Sequence, residues 1–504
     1  MSNFLFGTLF DQKPTAAVFI ELADGMRWNY GDFLDETARV ANALLSLGIQ
    51  PGDRVAAQVD KSVSAVALYL GTVRAGAAFL PLNTAYTATE VEYFVNDAEP
   101  ALLVCRPTAE AALRPIATNT ATRLETLDAS GNAGSWSELV SASAVEFSTV
   151  PRDEHDLAAI LYTSGTTGRA KGAMITHLNL ASNALALADI WHFSSDDVLL
   201  HVLPIFHTHG LFVAINTTLI AGASLLFLPR FDADQVASLL PRASVMMGVP
   251  TFYTRLLANS NFTAEQAQGM RLFVSGSAPL LEETHNAFHT RTGKAILERY
   301  GMTETNMNTS NPYEGNRRAG TVGFPLPNID IRITDPESAV ELANGEIGML
   351  EVKGPNIFKG YWRMEEKTAE EFRQDGYFIT GDLARIDDQG YIVIVGRDKD
   401  LIISGGYNVY PKEVELEIDA LPGIVESAVI GLPHNDFGEG VTAIVVAGQD
   451  NKINEKSIVS EISNRLASYK QPKRIFFVDQ LPRNSMGKVQ KNLLRDKYKD
   501  TYAR

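Results

Sequence analysis

The sequence predicts an α/β protein: a large N-terminal domain of stacked α/β sheets that includes a β-rich subdomain, followed by a small α+β C-terminal domain. Helical and strand-like segments alternate from about residue 30 onwards, and beyond about residue 320 short strands at hairpin-like spacing replace them. After the polar run at 397–400 the pattern changes again. We therefore expect an N-terminal domain over 1–397, with its β-rich subdomain at 320–397, and a C-terminal domain over 398–504.

The first part of the N-terminal domain has the alternation typical of a mostly parallel sheet. Apolar residues recur at helical spacing in three segments, 36–47, 62–74 and 89–96. Short apolar runs typical of buried strands lie at 53–59, 78–82 and 101–105. Residues 106–152 are rich in Ala, Ser and Thr, and we expect them to be peripheral.

The second part of this domain predicts further buried strands at 157–161, 198–203, 244–249 and 271–275, and a helix at 178–191. Polar turns of small residues follow four strand ends, near 163, 207, 250 and 276. Ligands of open α/β sheets bind beyond the carboxyl ends of the strands. We therefore expect one cleft to collect these four turns.

The last two regions differ from the first and from each other. The β-rich subdomain is predicted from short strands at 329–334, 348–352, 377–380 and 391–395. In the C-terminal domain we expect helices at 412–421 and 455–469, with strands at 425–430, 442–447 and 474–478.

Composition excludes several classes of partner. Hydrophobic residues make up 45% of the chain and charged residues 21%. The formal net charge is −16 with no long basic run, which argues against nucleic acid or an anionic membrane surface as the main binding partner.

Cys105 is the single cysteine, so no intrachain disulfide can form. The first residues lack the pattern of a signal peptide, and no run of about 18 apolar residues occurs. We expect a cytoplasmic protein.

The segment from Thr163 to Gly172 concentrates four hydroxyls, three glycines and one lysine after a strand. Glycines let backbone N–H groups turn toward an anion, and hydroxyls and a lysine add donors and charge. This is the chemistry of a triphosphate-binding loop, but Ala170 before Lys171 and Gly172 after it do not fit the Walker A pattern. A flexible Ser/Thr/Gly surface loop is the alternative.

Five motifs occur in order along the chain: the loop 163–172, Tyr300-Gly301-Met302-Thr303-Glu304-Thr305, Thr380-Gly381-Asp382, Gly396-Arg397-Asp398-Lys399-Asp400 and the segment 482–488. Over its whole length the chain resembles the adenylate-forming superfamily of acyl-CoA synthetases, adenylation domains and luciferases. Relatives usually have proline at position 170, which departs from the family pattern without removing a ligand. In finer detail, segments 81–87, 206–210 and 298–305 look most like those of stand-alone malonyl-CoA synthetases.

The resemblance implies an AMP-forming acid–CoA ligase that uses ATP, Mg2+ and coenzyme A. A carboxylate attacks the α-phosphate of ATP, which releases pyrophosphate and leaves an acyl-adenylate. The CoA thiol then attacks the acyl carbon, and AMP departs. In this superfamily the small C-terminal domain swings between the two steps, so the resemblance also implies that 398–504 is mobile and that Lys399 occupies the hinge.

Most of the nucleotide site is implied by the same resemblance. The loop from Thr163 to Lys171 would hold the β- and γ-phosphates, with Thr163 also near the metal and Glu304 as the magnesium ligand. The full set of implied nucleotide-binding residues is Thr163, Ser164, Gly165, Thr166, Thr167, Gly168, Lys171, Gly276, Ser277, Ala278, Glu298, Arg299, Tyr300, Gly301, Met302, Thr303, Asp382 and Arg397. Among these, Tyr300 would stack on adenine, and Asp382 would accept hydrogen bonds from the ribose hydroxyls. The alternatives are a core position for Tyr300 and a helix start at Glu304.

Lys488 is the implied catalytic residue, and His207 and Thr303 are further catalytic positions. Charge builds up on the α-phosphate oxygens and the incoming carboxylate, and a mobile ammonium that reaches both would stabilise it. Acylation of such a lysine removes its charge, so a protein lysine acyltransferase and a deacylase that act on Lys488 are expected partners. A solvated charge in the basic tail is the alternative.

The second half-reaction implies a binding site for CoA. Ser404, Gly405 and Gly406 would present backbone to its pantetheine arm.

The acyl pocket is expected around Arg255, His207, Thr208 and Met307. A dicarboxylate keeps one negative charge after its other end is activated, and burial of that charge requires a cation. Arg255 lies about one helical turn beyond the strand end at 248–250. The resemblance implies that this position lines the acyl pocket, where a bidentate guanidinium would suit a carboxylate. Thr208 and Met307 would limit the pocket, which favours malonate or methylmalonate. An exposed helix position for Arg255 is the alternative.

Arg317 and Arg318, in a loop, are weaker rivals for the acid-binding cation. A zinc site formed by His201, His207 and His209 is disfavoured, because no carboxylate or cysteine accompanies them at a recognised spacing.

Two other functions stay open at this point. A fatty- or aryl-acid CoA ligase of the same superfamily would have a neutral acyl pocket. A non-catalytic ATP-binding regulatory protein would bind nucleotide without turnover, although the presence of Lys488, Glu304 and Asp382 argues against it.

Overall fold

The computed structural model describes residues 3–163, 170–405, 407–434, 436–448, 453–463, 465–484 and 487–502. The α-helices are α1 (Phe4–Phe10), α2 (Tyr30–Ser46), α3 (Val63–Arg74), α4 (Ala88–Ala98), α5 (Glu110–Asn119), α6 (Ser135–Ser141), α7 (His177–Ile190), α8 (Thr217–Ala221), α9 (Ala233–Leu239), α10 (Pro250–Ala258), α11 (Glu282–Thr292), α12 (Glu365–Glu370), α13 (Pro411–Asp419), α14 (Glu455–Ile462) and α15 (Lys491–Tyr498). A π-helix spans His209–Asn216.

The strands are β1 (Val18–Leu22), β2 (Arg27–Asn29), β3 (Arg54–Gln58), β4 (Ala78–Pro81), β5 (Leu102–Cys105), β6 (Arg123–Thr126), β7 (Leu157–Thr163), β8 (Lys171–Thr176), β9 (Val198–His201), β10 (Ser224–Phe227), β11 (Val245–Gly248), β12 (Leu272–Ser275), β13 (Ile296–Met302), β14 (Asn306–Ser310), β15 (Phe324–Pro325), β16 (Asp330–Thr334), β17 (Gly348–Lys353), β18 (Phe378–Ile386), β19 (Ile392–Arg397), β20 (Ile402–Ser404), β21 (Tyr407–Val409), β22 (Ile424–His434), β23 (Gly438–Ala447) and β24 (Arg474–Phe477).

Two large sheets form the N-terminal domain. One has the order β6-β5-β3-β4-β7-β8 and is parallel except for the β7–β8 pair. The other has the order β15-β14-β13-β12-β11-β9-β10-β1-β2, with parallel pairing from β13 to β1. The main apolar core joins α2 and α3 to both sheets through residues such as Val40, Leu68, Val55 and Leu199.

Two smaller sheets follow. Strands β16 to β19 form an antiparallel sheet in sequence order, and the small domain has the order β21-β20-β23-β22 with β24 parallel to β23. Helices α13 and α14 contribute Val414 and Ile458 to one core of the small domain, and α15 contributes Leu494 to a second. The predicted α/β fold class, with its β-rich part and small α+β domain, is confirmed.

Local sequence explains where several helices begin. Thr87 accepts a hydrogen bond from the Glu90 backbone, and the Glu90 carboxylate accepts one from the Thr87 backbone, so a capping box starts α4. Thr176 and Asn179 do the same at α7.

The region 106–152, where only peripheral structure was expected, contains α5, β6 and α6. Of these, β6 is an edge strand of its sheet.

The strands that precede the four predicted polar turns belong to two sheets. Strands β9, β11 and β12 are parallel neighbours, so the turns after them lie at one edge of the nine-stranded sheet. Strand β7, which ends at Thr163, belongs to the six-stranded sheet instead. A cleft that collects these four strand ends would therefore lie between two sheets. Within the described ranges, none of the helices is both long enough and apolar enough to cross a membrane.

Candidate active site

Asp382 and Arg397 face each other at the end of the four-stranded sheet. They are register partners on β18 and β19, and Arg397 Nε lies 2.6 Å from Asp382 Oδ1. The Tyr300 hydroxyl, from β13, donates a hydrogen bond to Asp382 Oδ2 at 2.5 Å. Asp382 is only 4% exposed. The structure thus brings three of the residues predicted to bind nucleotide into direct contact.

Glu304 lies in the turn between β13 and β14 and is buried. Its Oε1 accepts a hydrogen bond from the Tyr361 hydroxyl at 3.1 Å. Burial raises the pKa of the Glu304 carboxyl above its usual value, although this hydrogen bond and the charge of Lys171 partly oppose the rise. The described residues offer no group of three or more side chains for a metal, so a divalent cation at Glu304 would take its other ligands from phosphate and water. The Glu304 carboxylate would bind such a cation, and the positive charges of Lys171 and Arg397 nearby suit the phosphates.

Lys488 comes from the small domain and faces the same residues. Its backbone N–H donates to Asn484 Oδ1 at 2.9 Å, which closes a short loop. A Cβ at Gly487 would lie 3.4 Å from the Thr251 side chain of α10, so this loop touches the large domain.

The Lys488 ammonium responds to the charges of the nucleotide site. Burial and the charge of Arg397 lower its pKa, and Asp382 and Glu304 raise it. Lys488 as a whole residue is nonetheless exposed to solvent. A lysine in this position can meet negative charge that develops between the two domains.

Thr163 and Lys171 flank the predicted phosphate loop. They are register partners at the end of β7 and the start of β8. Lys171 Nζ lies 2.9 Å from Glu371 Oε1 and 3.9 Å from the centre of the Tyr361 ring. The predicted phosphate ligands Ser164, Gly165, Thr166, Thr167 and Gly168 lie outside the described residues.

Glu371 and Tyr361 were missed by sequence reasoning, since neither belongs to a motif whose chemistry is readable without the fold. Their contacts with Lys171 and Glu304 become visible only in three dimensions.

The turns after β12 and β13 hold the residues predicted to surround adenine. Ser277 has a φ of 71°, which is unusual for a residue with a side chain, and its Oγ lies 3.2 Å from His209 Nδ1. Glu298 accepts a hydrogen bond from the Leu280 backbone at 3.1 Å, and burial raises its pKa to about 8. The residues Gly276, Ala278, Gly301, Met302 and Thr303 lie in or next to the same turns.

Arg299 is the buried guanidinium of this site. It is 3% exposed, and within the described residues its Nε and Nη2 atoms have no hydrogen-bond partner. Burial lowers the pKa of Arg299 to about 9. Its positive charge in turn lowers the pKa of both His207 and His209, so the guanidinium lies near these two imidazoles. A buried cation without an anionic partner is a candidate binding group for a carboxylate.

Arg255, which was expected to line the acyl pocket, lies in the exposed helix position that was its alternative. Arg255 lies on α10, but its side chain is exposed. On the same helix Tyr253 and Leu256 face the core, and the 100° step per residue turns Arg255 away from it. Sequence spacing placed the arginine on the correct helix, but only the fold shows which face it occupies.

Two other predicted acyl-pocket residues, Thr208 and Met307, are each 2% exposed. His207 Nδ1 accepts a hydrogen bond from the His209 backbone at 3.1 Å, and burial, with the charges of Lys488 and Arg299, lowers the pKa of His207 to about 3. His207 is therefore a neutral imidazole at physiological pH. Both ring nitrogens of His201 have other partners: its Nε2 is 2.7 Å from Gly210 O and its Nδ1 is 2.7 Å from Lys61 Nζ.

The loop expected to bind CoA has contacts within the small domain. Ser404 pairs with Tyr407 and Gly438, and the Gly405 N–H donates to Phe437 O at 2.8 Å. Gly406 lies outside the described residues.

The expected hinge residue, Lys399, is exposed in a short 3₁₀ turn. The next residue, Asp400, forms an ion pair of 2.5 Å with Arg495 of α15.

Comparisons with known proteins show the family of the chain. A model of the AMP-binding enzyme family matches residues 9–362, and a model of the AMP-binding enzyme C-terminal domain matches residues 413–488. A malonate–CoA ligase from Arabidopsis thaliana is 34% identical, and the match covers 94% of this chain and 85% of that protein.

The crystal structure of ATP-bound MatB from Rhodopseudomonas palustris is 57% identical over 100% of both chains, with a TM-score of 0.97. Its apo form, also 57% identical over 100% of both chains, has a TM-score of 0.87. As a whole, the present structure therefore resembles the ATP-bound form more closely. With both family models matched in order and this similarity along its whole length, the chain belongs to the family of AMP-binding enzymes.

Proposed function

We propose that this protein is an AMP-forming malonate–CoA ligase, which converts malonate, ATP and CoA into malonyl-CoA, AMP and pyrophosphate. The similarity to malonate–CoA ligases supports the reaction. The observation that carries the choice of acid is the buried guanidinium of Arg299, whose Nε and Nη2 have no hydrogen-bond partner in the part of the chain that the structure describes.

The reaction has two half-reactions. First, an oxygen of one malonate carboxylate bonds to the α-phosphorus of ATP, and the bond to the bridging oxygen breaks, so that pyrophosphate leaves. Then the CoA sulfur bonds to the acyl carbon, the bond from that carbon to the AMP oxygen breaks, and the thiol proton passes to solvent.

Side chains of this site suit the first half-reaction. The Lys488 ammonium would stabilise charge on the α-phosphate and the incoming carboxylate, with His207 and Thr303 nearby in the turns that border the acid. Asp382 and Arg397 would bind the ribose. Glu304 would hold Mg2+, which neutralises phosphate charge when it is bound. Thr163 and Lys171 would contact the pyrophosphate that leaves.

The acid would enter between Arg299 and Lys488. Its distal carboxylate would pair with the Arg299 guanidinium, whose Nε and Nη2 can donate two parallel hydrogen bonds. Thr208, Met307 and the neutral His207 would close a small pocket around the acid. A neutral acyl chain would leave the buried cation unpaired, which favours malonate over a fatty or aryl acid.

The second half-reaction requires another arrangement of the domains. We propose that the chain divides at 397/398, that Lys399 is the hinge, and that the loop 404–406 reaches the pantetheine arm of CoA after rotation. The proposal also includes a cytoplasmic location and an acyltransferase and deacylase that act on Lys488, which as a whole residue is exposed to solvent.

The test follows pyrophosphate release with malonate, methylmalonate and butyrate, with and without CoA. We expect Arg299→Met to reduce kcat/KM for malonate about a hundredfold, equivalent to about 3 kcal/mol, because the distal carboxylate loses its partner. Activity with butyrate should be unchanged or improved.

Arg255→Met is the matched control, since that arginine is exposed, and it should leave both acids unaffected. Equal turnover of malonate and butyrate by the unmodified protein would contradict the dicarboxylate assignment. Absence of pyrophosphate release with every acid would instead favour an ATP-binding regulatory protein.

A further inference from the structure

Lys171 is held from two sides. Its ammonium lies 2.9 Å from Glu371 Oε1 and over the face of the Tyr361 ring, 3.9 Å from the ring centre. The exposed fractions of the Lys171 and Glu371 side chains are 19% and 20%. A lysine ammonium sits on a flexible four-carbon stem, so two simultaneous partners confine a group that would otherwise sample a wide volume.

The same partners connect Lys171 to Glu304. The Tyr361 hydroxyl lies 2.6 Å from Glu371 Oε2 and 3.1 Å from Glu304 Oε1. The Tyr361 ring is buried and packs edge-on against Phe358, with ring centres 4.8 Å apart. A continuous chain of contacts therefore runs from the start of β8 to the turn between β13 and β14.

We propose that Glu371 and Tyr361 are positioning residues for the pyrophosphate end of ATP. They hold the Lys171 ammonium in place beside the Glu304 carboxylate before the nucleotide arrives. This inference rests on the proposed role of Lys171 as a ligand of the β- and γ-phosphates. Each of the two residues acts through Lys171 or Glu304 rather than by contact with the substrate.

The charges around Glu371 suit this role. Glu371 Oε1 also lies 3.2 Å from Lys367 Nζ, so one carboxylate is placed between two ammonium groups. A charge that is already in place need not reorganise as negative charge develops on the leaving group.

The neighbouring residue in the sequence supplies a matched control. Glu370 contacts Lys367 at 2.9 Å and Glu371 contacts the same ammonium at 3.2 Å, but 66% of the Glu370 side chain is exposed. Glu371→Gln and Glu370→Gln therefore remove the same charge from adjacent positions. Only the first removes the ion pair with Lys171.

The experiment measures the affinities of the full-length protein, with Mg2+ present, for ATP, inorganic pyrophosphate and AMP, together with the KM for ATP. We expect Glu371→Gln and Tyr361→Phe to weaken ATP and pyrophosphate about tenfold. AMP affinity should stay unchanged, because AMP lacks the β- and γ-phosphates. Glu370→Gln should match the unmodified protein, and Glu371→Asp should recover part of the loss.

Equal losses for AMP and pyrophosphate would overturn the inference, since they would indicate a general structural role. Unchanged pyrophosphate affinity in Glu371→Gln would also overturn it. Failure of the unmodified protein to release pyrophosphate with any acid would overturn the proposed function instead, and direct pyrophosphate binding would still test the positioning role.

Discussion

At the scale of single residues, the position of Arg299 depends on the absence of a side chain at Gly276. A Cβ at position 276 would lie 2.5 Å from Arg299 Cζ and 2.6 Å from its Nη1. Such a distance is far below van der Waals contact, so the guanidinium can occupy its place only while residue 276 is glycine. The neighbouring Ser277, with its φ of 71°, lies in the same turn.

We expect Gly276→Ala to raise the KM for malonate about tenfold or more, because it displaces the group proposed to bind the distal carboxylate. The atom that must move is the end of a long side chain, so the free energy of unfolding should change little. Steady-state kinetics with malonate and butyrate, together with thermal unfolding, check both parts.

Gly269→Ala is the control, since a Cβ there meets nothing within 4 Å. A loss of activity that is equal for malonate and butyrate would contradict the expected displacement of Arg299 and would indicate damage to the nucleotide site.

At the scale of elements, one ion pair joins the starts of three parallel strands. Asp197 precedes β9, and its two oxygens accept hydrogen bonds of 2.7 Å from Arg271 Nε and Nη2, just before β12. Ser244, just before β11, donates a third at 2.7 Å. Burial alone would raise the pKa of Asp197, but these hydrogen bonds outweigh it and lower that pKa. The pair thus helps to align the strands whose opposite ends carry the site.

We expect Asp197→Asn to lower the free energy of unfolding by about 3 kcal/mol at neutral pH, because it leaves Arg271 without its carboxylate. A carboxyl whose folded-state pKa is lowered stabilises the fold above its unfolded pKa of about 3.9. The unmodified protein therefore loses this contribution only as pH falls through the lowered pKa.

Unfolding midpoints measured across a pH series should show a gap between the two proteins at pH 7 that narrows only below about pH 4. Asp196→Asn, which alters the exposed neighbour, should show no gap. A gap that shrinks already between pH 7 and pH 5 would contradict the assignment to Asp197.

At the scale of the whole molecule, the proposed mechanism depends on how the two domains meet. The loop with Lys488 touches α10 of the large domain, and Lys488 faces Asp382 and Glu304. The loop 404–405 meanwhile makes contacts within the small domain, and the nearby Ile403 and Tyr407 are exposed. This arrangement suits the first half-reaction, and a rotation about Lys399 would exchange the two loops.

We expect Lys399→Pro to keep adenylate formation and to slow thioester formation about tenfold or more, because proline limits the backbone rotation that the hinge requires. Proline fits the first turn of the short 3₁₀ segment Asp398–Asp400, so the present arrangement should remain intact. Pyrophosphate release without CoA, and thioester formation from a supplied acyl-adenylate, separate the two steps.

Lys488→Ala should give the opposite result, with adenylate formation lost and thioester formation retained. Lys399→Ala controls for loss of the side chain and should affect neither step strongly. If Lys399→Pro slowed both steps equally, the residue would not be the hinge.

Motif residues were predictable because their chemistry demands particular residue types in a fixed order. Asp382, Glu304 and Lys488 were named from sequence, and in the structure the charges of the two carboxylates act on the Lys488 ammonium. The loop 163–172 was named in the same way, although most of it lies outside the described residues. Strand and helix positions were also largely predictable, since hydrophobic periodicity is a local property.

The sequence by itself therefore determined the fold class, the family and the set of residue types that the reaction needs. Only the tertiary structure decided which arginine is buried. Arg255 follows β11 on helix α10 and Arg299 lies on β13 of the same sheet, yet Arg255 is exposed to solvent, whereas Arg299 is buried, with only 3% of its surface exposed. The tertiary structure also decided that Lys171 meets Glu371 across 200 residues of chain. Burial and pairing depend on all the elements packed around a side chain, and no local pattern of residues encodes that environment.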